Sequence, residues 1–353
     1  MLNDAFQHYH EQDNLNNYIN STYTQYEVEM IKKYKNEVSY EELEIYKDKN
    51  IYQFQFVDQL KVKSLVLYGC FSIVFDKVPD NIVELTVNEC KLKNILGIQF
   101  MTKLKRLDLS NNVLIDIQPL YSLEQLQSLH INENKLVNIQ PLSTLKQLQS
   151  LSLTNNRIID LQPVKSLGNL LSLDLSHNSI KSVLCLQNLT HLQSLNLSFN
   201  NIQDITGFTC LSSLQTLNLD YNLLIDISPL THLPLRSLDI YSNRIVDVCP
   251  ISSHQFEHLF MSNNYITNAY LLSNHKQFSD YSLNNQNPPT KSLILFQKRL
   301  KAVYFGLKNL NQLIMKRTQK ILNGKQKINV AVLNLKMELT ELLEQMISKF
   351  GLL

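Results

Sequence analysis

One spacing of leucines and asparagines constrains this chain more than any other feature. From Leu104 to Gln277 it recurs about every 22 residues without losing phase. Leu104, Leu107, Leu109, Asn112, Leu114, Ile117, Leu120 and Leu123 set the pattern, and units opening at Leu126, Leu148, Leu170, Leu192 and Leu214 copy it. All 42 apolar places of those six units hold Leu, Ile, Val or Phe in a chain that is 44% hydrophobic, which excludes coincidence. A unit this short cannot bury its own apolar side, so the chain must stack its units into one continuous core.

The phase extends beyond these six units. Earlier units begin at Tyr40, Val62 and Ile82 and place Asp48, Cys70 and Cys90 where the others have Asn; later ones, at Leu235 and Phe256, follow at 21-residue spacing. The later units put His254 and His275 where an apolar residue is usual, and a degenerate unit from Phe278 to Leu283 stops at Asn287-Pro288-Pro289. This gives eleven units and a fragment over residues 40–287. Residues 1–39 are polar, with a short helix expected around Tyr26 to Val38, where Val28, Ile31, Tyr34 and Val38 have helical spacing.

Within LxxLxLxxN the two central leucines alternate as a strand requires, so one short strand per unit stacks into a parallel sheet. The Asn at position nine sits where the chain leaves the strand, and its amide both donates and accepts. Asn112, Asn134, Asn156, Asn178, Asn200, Asn222, Asn243 and Asn264 form that ladder. Return legs such as Asp116-Ile117-Gln118-Pro119-Leu120 predict a short 3₁₀ turn capped by Asp, with Pro at its first residue. The expected fold is a curved α/β solenoid, with a parallel sheet on the concave side, 3₁₀ turns on the convex side and a C-terminal helical segment. Eleven strands predict an arc of roughly 50 Å.

LxxLxLxxNxIxxIxxLxxL at this period is similar to the leucine-rich repeat of the protein phosphatase 1 regulatory subunit type, and the whole chain resembles the large families of cytoplasmic leucine-rich repeat proteins of protists. The resemblance covers residues 40–287 and implies protein binding on the concave face. No concave contact residue of the phosphatase subunit is carried over.

Positions three, five, seven and eight of each unit face away from the core. Position three is nearly uniform, with Ser128, Ser150, Ser172, Ser194, Thr216 and Ser237. Departures from uniformity are more informative: Phe199, Tyr221, Tyr241 and Phe260 run diagonally over four consecutive units, beside Asp174, His177, Asp220, Asp239 and His258. Aromatic rings within a polar rim suit a protein interface. These nine residues are the expected partner-binding site, and the carboxylates favour a partner with a basic surface. The function expected is a non-catalytic scaffold or adaptor; the alternative is a regulatory subunit of an enzyme such as a phosphatase.

Residues 1–287 carry 21 basic and 28 acidic side chains, against 12 and 3 in residues 288–353. That basic tail places Leu293, Phe296, Leu300, Val303, Leu307, Leu310, Ile314 and Ile321 at heptad spacing, and Ile328, Val332, Leu335, Leu339, Leu342 and Met346 resume it after Gly324. Two helices, near 290–322 and 327–349, are expected, either as a hairpin over the last repeat or as a coiled coil giving self-association; a basic amphipathic helix is a third reading. No nucleic acid partner is expected. The five cysteines lack CxxC spacing, and no leader or transmembrane run is evident, so the expectation is a cytoplasmic protein with reduced thiols. Phosphate-binding glycine motifs and HExxH are missing, and the aspartates recur once per unit as caps. The reading is therefore no enzyme, no metal site and no cofactor.

Overall fold

The computed structural model describes residues 29–30, 33–34, 41–47, 62–70, 73, 75 and 81–272. All lie in Met1–Pro288, the first of the two units into which the chain divides. The expected tail helices, the degenerate unit and His275 lie outside the described residues.

Each of the eleven units contributes one strand: β1 (Glu42–Tyr46), β2 (Ser64–Tyr68), β3 (Glu84–Asn88), β4 (Arg106–Asp108), β5 (Ser128–His130), β6 (Ser150–Ser152), β7 (Ser172–Asp174), β8 (Ser194–Asn196), β9 (Thr216–Asn218), β10 (Ser237–Asp239) and β11 (His258–Phe260). They form one parallel sheet in sequence order, and equivalent positions pair across it, as in Leu107 with Leu129 and Leu129 with Leu151. Opposite the sheet run 3₁₀ turns such as Gln118–Ser122, Gln140–Thr144 and Gln162–Ser166. The solenoid is curved, with the strands on its concave side. The repeated leucines of all six regular units are buried in one cluster that runs from Met30 to Leu272.

The asparagines join one unit to the next. Asn112 Nδ2 donates back to Val87 O at 2.7 Å and within its own unit to Leu109 O at 3.0 Å, while Oδ1 accepts from Cys90 N at 3.1 Å and Leu92 N at 3.0 Å. The next seven repeat this, their Oδ1 atoms accepting from Leu114, Leu136, Ile158, Ile180, Ile202, Leu224 and Ile245 N at 2.9 to 3.0 Å. Cys70 and Cys90 perform the donor half, their thiols reaching Ile45 O and Leu67 O at 3.5 Å. A second lane runs along the turns, where Ser122, Thr144 and Ser166 donate to Gln99 O, Tyr121 O and Ser143 O at 3.0, 2.7 and 2.8 Å.

Two expectations about the turns need correction. Pro is the second residue of the 3₁₀ turn, as Pro119 follows Gln118, and not the first. Asp caps from one residue earlier than a true N-cap: Asp116, Asp160, Asp204, Asp226 and Asp247 accept from the N–H two residues on at 2.8 to 2.9 Å. The N-cap place itself is taken by residues such as Ile117, which must point into the core. In the short N-terminal helix Met30 is buried together with Tyr34; Met30 was not on the expected apolar face.

Replacing Asn156 by Ala leaves Leu136 N–H without its acceptor and takes one of two side-chain donors from each of the Ile131 and Leu153 carbonyls, which keep Asn134 and Asn178. The expected cost is about 1–3 kcal/mol, read as a lower urea midpoint with an unchanged slope. Asn156→Cys should recover part of it through the thiol donor, and equal midpoints for all three proteins would contradict this account of the ladder.

Candidate functional site

Position eight, one residue before the ladder, is the corner where the chain leaves the sheet face. In all eleven units it lies in the left-handed region: Lys47, Gly69, Glu89, Asn111, Glu133, Asn155, His177, Phe199, Tyr221, Ser242 and Asn263 have φ between 52 and 64°. Gly or Asn adopts that conformation readily, whereas a bulky side chain pays about 1–2 kcal/mol. Phe199 and Tyr221 therefore occupy the corner against the backbone's preference.

The corners lie one above another, so their side chains stack. His177 and Phe199 have ring centroids 4.1 Å apart at 12°, and Phe199 and Tyr221 are 4.1 Å apart at 17°. Tyr241, one position earlier in its unit, meets Tyr221 edge-on at 5.2 Å and 61°. A hydrogen bond to Tyr241 raises the Tyr221 phenol above its ordinary value. Phe199 is 41% and Tyr221 43% exposed, so the stack forms a ridge with its ring edges in solvent. Phe260, 57% exposed, pairs in register with Asp239 on the neighbouring strand and makes no ring contact among the described residues. The diagonal of four aromatics is thus a stack of His177, Phe199, Tyr221 and Tyr241 with Phe260 standing apart.

The carboxylates divide by what they bind. In the units from Leu104 to Leu235 the amide of position seven takes a side-chain acceptor, and two sources supply it. Asp108, Asp174, Asn196 and Asn218 accept from the amide two residues on at 2.8 to 3.1 Å. Where position five lacks such a side chain, the preceding unit supplies one, as when Thr154 N donates to Asn132 Oδ1 at 2.8 Å. Asp174 is fully used, its second oxygen accepting from Asn196 Nδ2 at 3.0 Å. Tyr241 N instead donates to Asp220 of the preceding unit at 2.6 Å, and Asp239 Oδ1 is left buried with no hydrogen bond.

Burial raises the Asp220 carboxyl to about 6; the Tyr241 N–H bond opposes the rise and the charge of Asp239 adds to it. Burial also raises Asp239, opposed by exposed His258 on the next strand. Burial is the largest influence on both acids, and what opposes it does not bring either back to its ordinary value.

The other end of the face holds a pair that the sequence reading missed. Tyr46 and Tyr68 lie in register on β1 and β2 with rings 6.0 Å apart, and Tyr46 Oη donates to Glu44 at 2.7 Å. Both occupy position seven, so the repeat phase alone places them on this face. His254 is buried, bonds Leu233 O through Nε2 at 2.9 Å and stacks on Phe256, which makes it a core residue. Burial pushes the Cys185 thiol up to about 11, and Cys90 is raised by its hydrogen bond with Cys70 and by burial. Among the described residues no group of His, Cys, Asp or Glu has metal-site geometry, and no helix is long and apolar enough to cross a membrane.

Comparison with known proteins agrees with the repeat fold. The two-copy leucine-rich repeat family matches residues 124–166 and 190–232, and a second leucine-rich repeat family matches 146–202. Internalin C2 of Listeria monocytogenes is 33% identical over 52% of this chain and 81% of its own, with a TM-score of 0.50. The chain belongs to the leucine-rich repeat proteins. A second internalin of the same organism, 24% identical, shares the fold over 67% of this chain and 85% of its own, also with a TM-score of 0.50. No curated protein sequence matches this leucine-rich repeat protein.

Because the folded value of Asp220 lies above the free value of 3.8, the native state holds this proton more tightly than the unfolded chain. Its contribution makes stability fall as pH rises from about 4 to about 6. Asp220→Asn keeps an oxygen for Tyr241 N–H and removes the charge. Its melting temperature should equal or exceed that of the wild type at pH 7, with a flatter profile between pH 4 and 6; a lower value at pH 7 would contradict the assignment. Maleimide at neutral pH should label exposed Cys210 and Cys249, while buried Cys70, Cys90 and Cys185 react only on unfolding.

Proposed function

We propose that this protein is a non-catalytic protein–protein interaction scaffold that holds its partner on the concave face through the ridge of His177, Phe199, Tyr221 and Tyr241. Leucine-rich repeat proteins generally serve as binding scaffolds. The observation that carries the reading here is that two bulky rings occupy left-handed corners and stack in exposed positions. Aromatic pairs contribute about 0.5–1.5 kcal/mol, which roughly offsets the backbone cost. The stack therefore adds little net stability, and its value lies in what it presents. Rigid rings bury a large area at low entropic cost when a partner covers them.

The test compares wild-type protein with Tyr221→Ala and Tyr221→Asn in pull-downs read by mass spectrometry, followed by calorimetry with the recovered partner. Melting temperatures should stay within about 3 °C, since the lost stacking and the relieved corner oppose one another. Affinity should fall at least tenfold in both variants. Equal affinity in all three proteins would overturn the role of the ridge.

A further inference from the structure

The concave face has a second feature that the ridge does not use, centred on Asp239. In β7, β8 and β9 the Asp or Asn at the same position caps the amide two residues on. At Asp239 that amide is already taken by Asp220, so the carboxylate that would have been a structural cap has no such duty. The cause is local sequence: Asp220 stands at position seven, where the two preceding units have Ser176 and Ser198, and it reaches across to Tyr241.

Three observations describe what surrounds this freed group. Neither Asp220 nor Asp239 takes part in an ion pair among the described residues, unlike Glu41 with Lys63, Glu84 with Arg106 and Glu257 with Arg236. The only titratable group of opposite tendency acting on Asp239 is His258. Phe260 sits beside Asp239 in register, more than half exposed and free of ring contacts. By contrast, Phe199 has ring neighbours on both sides, His177 and Tyr221, and offers mainly its edge.

We propose that Asp239, Asp220 and the open ring of Phe260 form a socket for an arginine side chain carried by an exposed basic segment of the partner. The proposal rests on the scaffold reading and names the chemistry of what is bound. A guanidinium is planar, always charged and weakly hydrated, so it can lie on an aromatic face while its N–H groups reach carboxylates. An ammonium satisfies the charge but not the plane. The half-buried Asp239 carboxylate supplies the acceptor, Asp220 the second charge and Phe260 the platform. Because both carboxyls are held above their ordinary range, a bound cation restores their charge, and binding strengthens as pH rises through about 6.

The test uses the full chain, isotopically labelled, and a capped peptide of three arginine–glycine pairs followed by NMR. The arginine peptide should shift the His258 and Phe260 ring signals and lower the titration midpoint of Asp220. Its citrulline isostere should not bind, and the lysine version should bind several-fold more weakly. Asp239→Asn should weaken the arginine peptide at least tenfold and Phe260→Ala several-fold; among the described residues neither side chain holds a hydrogen bond, so at pH 7 Phe260→Ala should melt like the wild type and Asp239→Asn at or above it. Equal binding of the citrulline peptide, or by the Asp239→Asn protein, would overturn the socket, and equal binding of lysine would overturn its choice of arginine. Loss of capture in Tyr221→Ala with undiminished peptide binding in Asp239→Asn would remove the socket and keep the ridge; the reverse pattern would remove the ridge and keep the socket.

Discussion

The position-nine amide is the interaction on which the rest of the structure depends. A unit of about 22 residues makes a strand of three to five residues and a single 3₁₀ turn, with long stretches of backbone that pair with nothing in their own unit. Each Asn takes carbonyls from its own and the preceding unit and returns an oxygen to an amide of that preceding unit. Burial of the leucines drives the stack together, and the amide ladder fixes the register in which it closes. That is why equivalent residues align along the whole sheet, and why a side chain at one corner meets the same corner of the next unit.

That alignment converts a periodic sequence into a shared surface. The left-handed corner recurs in every unit because the chain must turn sharply off the sheet immediately before the amide. Most corners hold polar residues, Gly or Asn, which suit the turn and present little apolar surface. Where His177, Phe199 and Tyr221 replace them in consecutive units, stacking follows from the architecture without further design. A backbone cost accepted twice in succession, for exposed rings, points to binding more than to folding.

The polar positions between the corners obey a similar rule of supply. In the units from Leu104 to Leu235 one amide takes a side-chain acceptor, and either the same unit or its predecessor provides it. When both can, one carboxylate becomes surplus. Asp239 is that surplus group, and its separation from Asp174, which looks equivalent in sequence, arises only from which residue precedes Tyr241 in space.

The phase of leucines and asparagines was enough to place eleven strands, the ladder and the turns, because a period that buries one side of every unit admits a single stacking. The same phase located Phe199, Tyr221, Tyr241 and Phe260 on the concave face. It could not tell that three of them stack with His177 while Phe260 does not, since ring contact depends on the direction a left-handed corner gives the side chain. Nor could it tell a saturated carboxylate from a free one: Asp174 and Asp239 share a position and differ only in which amides and side chains reach them. Local pattern therefore determined the fold and which residues face outward. Only the tertiary structure decided which of those residues touch, because hydrogen bonds and ring contacts between units join groups 19 to 25 positions apart.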